Sequence, residues 1–267
     1  MDLALVLTGL VTGLVVGLTS TGGGALLTPA LVLLIGVPTR VAIGSDVLIA
    51  VGMKLVSGGF YAWRGHSHWP TVGRLLAGSI PGALAGLAVV NRLPAEGGDQ
   101  ILRGALGVVL LAVGVALLLR LRHTDGALLA RQAPGPWRTA AIGFAIGWLV
   151  SVTSIGSGSL LLCAFTLWFP LSARTAVGTD LVHALVLSVV VSAGHWSAGR
   201  VDLALVGGVL AGAIPGALAG AMLATSIPQR ALRACLAAVL LAAGLQLTSS
   251  SLAPATAIAI GRVQAEP

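Results

Sequence analysis

Ser79-Ile80-Pro81-Gly82-Ala83-Leu84-Ala85-Gly86 returns 134 positions later as Ala213-Ile214-Pro215-Gly216-Ala217-Leu218-Ala219-Gly220. The same offset, with no gap, aligns residues 19–46 with 153–180 at 12 identities in 28 positions. Those identities include Gly22/Gly156, Gly24/Gly158, Arg40/Arg174, Gly44/Gly178 and Asp46/Asp180, while Gly9 and Gly13 pair with Gly143 and Gly147. A shared apolar bias would not keep Gly, Pro, Arg and Asp in one register. The chain is two fused copies of one unit.

The unit is a membrane unit. Of 267 residues, 57% are apolar and 9% charged, and mean hydropathy is +1.01. A soluble domain carries about 25% charged residues, so there is too little polar surface here to cover a water-soluble globule. Apolar stretches of spanning length recur instead. The net charge of +7 comes from arginines at the ends of these stretches, with Lys54 the only lysine. They form no basic patch interleaved with aromatics, which argues against nucleic acid and for loop charge that orients the chain. Cys163 and Cys235 lie apart in apolar segments with no C-x-x-C; both read as small buried apolar residues. Residues 3–18 lack a preceding basic residue and recur in mid-chain, so they read as mature structure and not as a signal peptide.

Each half reads as five apolar segments, at 3–18, 24–36, 40–62, 70–90 and 100–119, then at 137–152, 158–169, 174–197, 203–224 and 230–248. The expected fold is all-α, a polytopic bundle of two homologous, inverted repeats with broken or re-entrant helices. Residues 1–119 form the first repeat, 120–136 a cytoplasmic linker, 137–254 the second repeat and 255–267 a tail. The linker is placed in the cytoplasm because it is rich in arginine (Arg120, Arg122, Arg131). With inverted halves, Arg40, Arg92, Arg103, Arg200 and Arg262 face outside and the other nine arginines inside. Parallel halves would divide them eight to six. The expected location is the inner membrane, multi-pass.

The first two segments of each half are too short to span, at ~24 and ~20 Å against a core of ~30 Å. Between them stand Thr19-Ser20-Thr21-Gly22-Gly23-Gly24 and Thr153-Ser154-Ile155-Gly156-Ser157-Gly158. Such breaks cannot face lipid, because their backbone groups would be unsatisfied. Paired breaks in two halves point to a transporter's binding site. The helix that follows each break offers unpaired N–H groups and partial positive charge to an anion. Candidate substrate-binding residues are therefore Ser20, Thr21, Gly22, Gly23, Gly24, Ser154, Gly156, Ser157 and Gly158, with Ser159 as a further hydroxyl donor.

Ionisable residues inside the third segments extend the set. Asp46 and Lys54 share a helix face at i, i+8, and Asp180 and His183 share one at i, i+3. Charges at this depth are costly and usually functional. Lys54, with Ser45 and Thr179 beside the aspartates, joins the substrate-binding set; Asp46, Asp180 and His183 are candidates for proton coupling. His195, next to Trp196, reads as an interfacial residue. His66 and His68 are too few for a metal site. The Gly78/Gly82/Gly86 and Gly212/Gly216/Gly220 stripes read as surfaces for close helix contact.

These motifs resemble the sulfite exporter TauE/SafE family, in which each half carries a Gly-rich segment followed by Leu and Pro, then an A-x-G-T motif. Here they are Gly22-Gly23-Gly24-Ala25-Leu26-Leu27-Thr28-Pro29 with Ala42-Ile43-Gly44-Ser45-Asp46, and Gly156-Ser157-Gly158-Ser159-Leu160 with Ala176-Val177-Gly178-Thr179-Asp180. Ser45 replaces the usual Thr, and Cys163 stands where the first half has Pro29. The resemblance implies a permease for sulfite, sulfoacetate or another organosulfur anion.

The reading is thus a secondary transporter whose partners are a small anion and the lipid bilayer, with no nucleic acid, no cofactor, no metal and no catalytic residue. No nucleotide-binding P-loop is present in the sequence. Two alternatives stand beside it: a non-coupled anion channel, and an intramembrane hydrolase using Ser157 and His183.

Overall fold

The computed structural model describes residues 3–19, 24–94, 97–122, 134–155, 158–223 and 229–263. All regular structure among them is helical. The first half contains α1 (Leu3–Thr19), α2 (Gly24–Ala30), α3 (Thr39–Trp63), α4 (Trp69–Arg92) and α5 (Gly98–Arg122). The second contains α6 (Pro136–Thr153), α7 (Ser159–Trp168), α8 (Ala173–Ser197), α9 (Leu203–Leu223) and α10 (Gln229–Val263). A π-helical turn, Leu31–Ile35, carries α2 on to Gly36, whose φ of 78° suits a residue without a side chain.

Each expected segment is a helix, and only the last differs at an end by more than three residues. α10 runs to Val263, through the stretch read from sequence as a tail. The Ser249-Ser250-Ser251 run does not stop it, because each hydroxyl bonds a carbonyl three residues back, on Gln246, Leu247 and Thr248. Cys235 also departs from expectation: it is exposed on α10 and not buried in a core. The side chain of Cys163 lies outside the described set.

Among the described residues, five helical stretches are long and apolar enough to cross a bilayer: Trp69–Arg92, Gly98–Leu119, Arg174–Ser197, Leu203–Gly220 and Ala234–Leu252. Leu3–Leu18 and Ala25–Ile35 are apolar but shorter. Large side chains such as Leu84, Leu218 and Met222 are exposed on the bundle exterior, as a lipid-facing surface requires. Trp63, Trp69 and Trp137 are exposed at helix ends, where an amphipathic ring suits the headgroup region.

The packing crosses between halves. α1 lies mainly on α9, α4 on α6, α3 on α8, and α5 on α10. The first two contacts are the same contact made twice. A methyl on Gly78 or Gly82 would strike the carbonyl of Ala140 or Phe144, and one on Gly212 or Gly216 would strike that of Val6 or Leu10. Likewise Gly143 and Gly147 face the carbonyls of Leu75 and Ser79, and Gly9 and Gly13 those of Val209 and Ala213. Every one of these pairs is carried into its counterpart by the 134-residue offset. With little hydrophobic drive between helices in lipid, such backbone-to-backbone approach is what holds them.

The other two contacts join equivalent helices, and both run antiparallel. Along α5 and α10, Gly104 meets Ser251, Gly107 meets Thr248 and Gly114 meets Leu241. Between α3 and α8, Gly44 abuts His195 and Arg200, and Lys54 reaches Ser188. The start of α3 is pinned by Asp99 of α5, which accepts from the Thr39 and Arg40 N–H groups at 3.1 and 3.0 Å. This satisfies donors that a helix start leaves open.

Candidate functional site

The antiparallel pair α3 and α8 carries the ionisable residues into the interior. Asp46 (1% exposed), Lys54 (7%), Asp180 (3%) and His183 (0%) are all buried. Along α3, Asp46 and Lys54 are ~12 Å apart at 1.5 Å per residue. Burial of such groups is tolerated only with partners, and the partners define the site.

Oδ2 of Asp46 accepts two hydroxyl hydrogen bonds. One comes from Thr28 on α2 in a close contact, the other from Ser154 Oγ at 2.9 Å. Ser154 ends α6 in the left-handed region (φ 61°), its N–H still bonded to the Val150 carbonyl at 2.8 Å. A non-glycine residue held at positive φ is strained and over-determined by its surroundings; here that posture delivers its hydroxyl to Asp46. Among the described residues, Oδ1 of Asp46 is buried and meets no donor.

Asp180 is held differently. Its Oδ1 accepts the backbone N–H of Gly158 at 3.1 Å, immediately before α7. Gly158 has φ 98°, a conformation glycine adopts readily. The Asp180 carboxylate thus occupies the kind of N–H that the sequence offered to an anion.

His183 shares a 2.9 Å hydrogen bond between Nε2 and Ser79 Oγ of α4, and its Nδ1 is buried without a partner among the described residues. The Lys54 ammonium donates to Ser188 Oγ across 3.4 Å and interacts electrostatically with both carboxylates. α3, α8 and these flanking hydroxyls therefore gather Asp46, Lys54, Asp180, His183 and Ser154 into one buried polar region.

Ser45 and Thr179 sit beside the aspartates but turn toward the ends of the bundle. Ser45 Oγ accepts from Asp202 N–H at 3.1 Å, and Thr179 Oγ1 accepts from His68 N–H at 2.9 Å. The two bonds are counterparts under the repeat offset. Each ties the third helix of one half to the start of the fourth helix of the other. Gly24 opens α2 and Ser159 opens α7. Ser20, Thr21, Gly22, Gly23, Gly156 and Ser157 lie outside the described residues.

One reading from sequence needs correcting. His195 is not interfacial: it is wholly buried, with Nε2 bonded to the Ser151 carbonyl at 3.0 Å, because it points inward while its neighbour Trp196 takes the exposed face. Sequence reasoning also missed Thr28, Ser79 and Ser188 as partners of the charged groups. A lone hydroxyl in an apolar helix carries no local signal of its partner; the repeat offers a partial one, since Ser188 is the counterpart of Lys54.

Buried ionisable groups on helices of membrane-spanning length, each matched to polar partners from other helices, are the mark of a transport path through a membrane protein. The family pattern of the sulfite exporter TauE/SafE proteins matches residues 5–247, and the chain belongs to that family. A probable membrane transporter protein, YjnA of Bacillus subtilis, is 35% identical over 92% of this chain and all of its own length. Two others from B. subtilis are similar: YunE at 27% identity over 76% of this chain and 83% of its own, and YdhB at 24% over 74% and 80%. No solved structure matches the chain. Family and relatives alike identify a multi-pass membrane transporter and not an enzyme.

Proposed function

We propose that this protein is a secondary transporter of a small anion, sulfite or another sulfur oxyanion or organosulfonate, in the inner membrane. The observation that carries the reading is the convergence of Asp46, Lys54, Asp180 and His183 on one buried crossing of α3 and α8. Lys54 supplies the fixed positive charge, and hydroxyls and backbone N–H groups around the helix breaks supply neutral donors. The segment Ser20, Thr21, Gly22, Gly23, Gly24 and its counterpart Ser154, Gly156, Ser157, Gly158 form the walls that the anion approaches most closely. Ser45 and Thr179 close this region toward the two ends of the bundle. Asp46, Asp180 and His183 exchange protons as the anion binds and leaves.

The halves are inverted about an axis in the membrane plane. Supporting this, α3 and α8 are antiparallel, as are α5 and α10. A two-fold axis that maps a helix onto an antiparallel copy touching it must run across the helices. Inversion places the substrate region where the repeats meet, the arrangement that lets one repeat rock against the other.

Flux measured in proteoliposomes with sulfite, thiosulfate, sulfoacetate and taurine tests the reading. Saturable flux of at least one of these anions is expected. Flux that rises linearly with concentration would mark a channel, and no flux of any of the four would reject the anion class.

A further inference from the structure

Asp46 is the least complete of the buried charged groups. Its Oδ2 has two hydroxyl partners and its Oδ1 has none among the described residues. Its counterpart Asp180 accepts a backbone N–H instead. The two environments differ in sequence as well: Thr28 of the first repeat corresponds to Leu162 of the second, because 28 + 134 = 162. A hydroxyl that touches the first aspartate is hydrocarbon in the second half.

Besides the Thr28 backbone N–H, which also faces the carboxylate, the side-chain atoms bonded around Asp46 are oxygens. They are its own carboxylate, Thr28 Oγ1 and Ser154 Oγ, and they sit at the C-terminus of α6, where the helix dipole is negative. Ser154 at φ 61° ends the helical ladder there, with the Val150 carbonyl still bonded by the Ser154 N–H and the Ser151 carbonyl by His195. A carboxylate with two hydroxyls at a broken helix end is the kind of set that coordinates a hard cation in transporters. A single carboxylate suits a monovalent ion, since calcium sites bring several charged ligands.

Charge balance points the same way. Two buried carboxylates face one buried ammonium. A cation removes the charge and uses the unpartnered oxygen together with the two hydroxyls.

We propose that Asp46, Thr28 and Ser154 form a sodium site at the C-terminus of α6, one per chain, at which Na⁺ competes with the proton. Its role in coupling rests on the transporter reading above, but the binding itself does not. The second repeat has no equivalent site because Leu162 replaces the hydroxyl. Thr28 and Ser154 then bridge α2 and α6 to α3 through the ion, so that loading it fixes the two broken regions relative to each other.

Thermal unfolding of the purified full chain, without any anion substrate, in NaCl against choline chloride at equal ionic strength and pH tests the site. A saturable rise in Tm with Na⁺ is expected, smaller with K⁺. Thr28→Val should raise the half-saturating Na⁺ concentration at least tenfold, Asp46→Asn should abolish the response, and Asp180→Asn should keep it. Should Asp46→Asn fail to fold, Thr28→Val decides alone. Equal Tm in sodium and choline, or a response untouched by Thr28→Val, would overturn the proposal. Flux of the same four anions in sodium and in choline then separates the two readings. Sodium binding with no anion flux supports the site and rejects the anion class; anion flux with no sodium binding does the reverse.

Discussion

Lys54 and Ser188 occupy the same position in the two repeats, and they touch: Nζ lies 3.4 Å from Oγ. A contact between equivalent positions can form only where the two repeats meet symmetrically. The chain places its only lysine there and a serine opposite, so a symmetric frame holds one asymmetric charge, within reach of an anion presented from either half. Lys54→Gln removes the charge while keeping a hydrogen-bond donor for Ser188. A charge-assisted hydrogen bond contributes about 1.5–3 kcal/mol, so half-saturation should rise roughly 10- to 100-fold, with maximal flux changed less. Unchanged half-saturation in proteoliposomes would remove Lys54 from the binding site.

The glycine contacts make a sharper structural prediction. A Cβ at Gly82 meets the Phe144 carbonyl, whereas at Gly73 of the same helix it meets nothing within 4 Å. Gly82→Val should therefore cost about 1–3 kcal/mol or more, through overpacking that separates α4 from α6. Gly73→Ala should be neutral or gain up to about 1 kcal/mol from helix propensity. Thermal unfolding in detergent reads both. Equal stability of the two variants would mean that the helices do not approach as closely as the carbonyl contacts require.

How much of this was legible follows from what kind of signal each feature leaves. Repeat, helices and buried charges are written in local spacing: Gly82 and Gly216 keep their register, and Asp46 and Asp180 stand out against apolar neighbours. Partnerships across the bundle are not. Thr28 and Asp46 are 18 residues apart on different helices, and Ser154 and Asp46 are 108 apart. Nothing in spacing alone brings them together. His195 was misread because a polar residue at a helix end is exposed or buried according to which face α8 turns inward, and only the fit of Gly44 against His195 fixes that. The apolar signal ends at residue 248, and α10 continues past it with the Ser249, Ser250 and Ser251 hydroxyls bonded within the helix.

Ser45 and Thr179 provide a pair of matched tests. Each accepts one backbone N–H, from Asp202 and from His68. Ser45→Ala leaves the first N–H without its partner, and Thr179→Val the second, at about 1 kcal/mol each. With inverted halves, the first change loosens the outer end and the second the inner end. Half-saturation measured from outside should fall roughly fivefold in Ser45→Ala and rise by a similar factor in Thr179→Val, with the reverse from inside. Shifts of the same sign from the same side would contradict the inverted arrangement.

Coupling is tested at His183 and Asp180. They lie one helical turn apart on α8, yet their partners come from different places: Ser79 on α4 for the histidine, the Gly158 N–H before α7 for the carboxylate. A proton moving on or off either group would alter its hold on that element, since His183 Nε2 exchanges donor and acceptor roles with its tautomer. The same protonation would change the charge facing Lys54. Proton binding is thereby tied both to anion affinity and to the packing of α4 and α7 on α8. Transport in the wild type should depend on pH. Asp180→Asn and His183→Ala should each flatten that dependence more than they change half-saturation at a fixed pH, whereas Lys54→Gln should change half-saturation and leave the profile. Ser79→Ala separates position from titration: it removes the partner of Nε2 but keeps the imidazole, so it should shift the profile without abolishing it. Flux against pH in proteoliposomes for these proteins is the measurement. A common profile for wild type and all four variants would make Asp180 and His183 ties between helices and leave the coupling to Asp46.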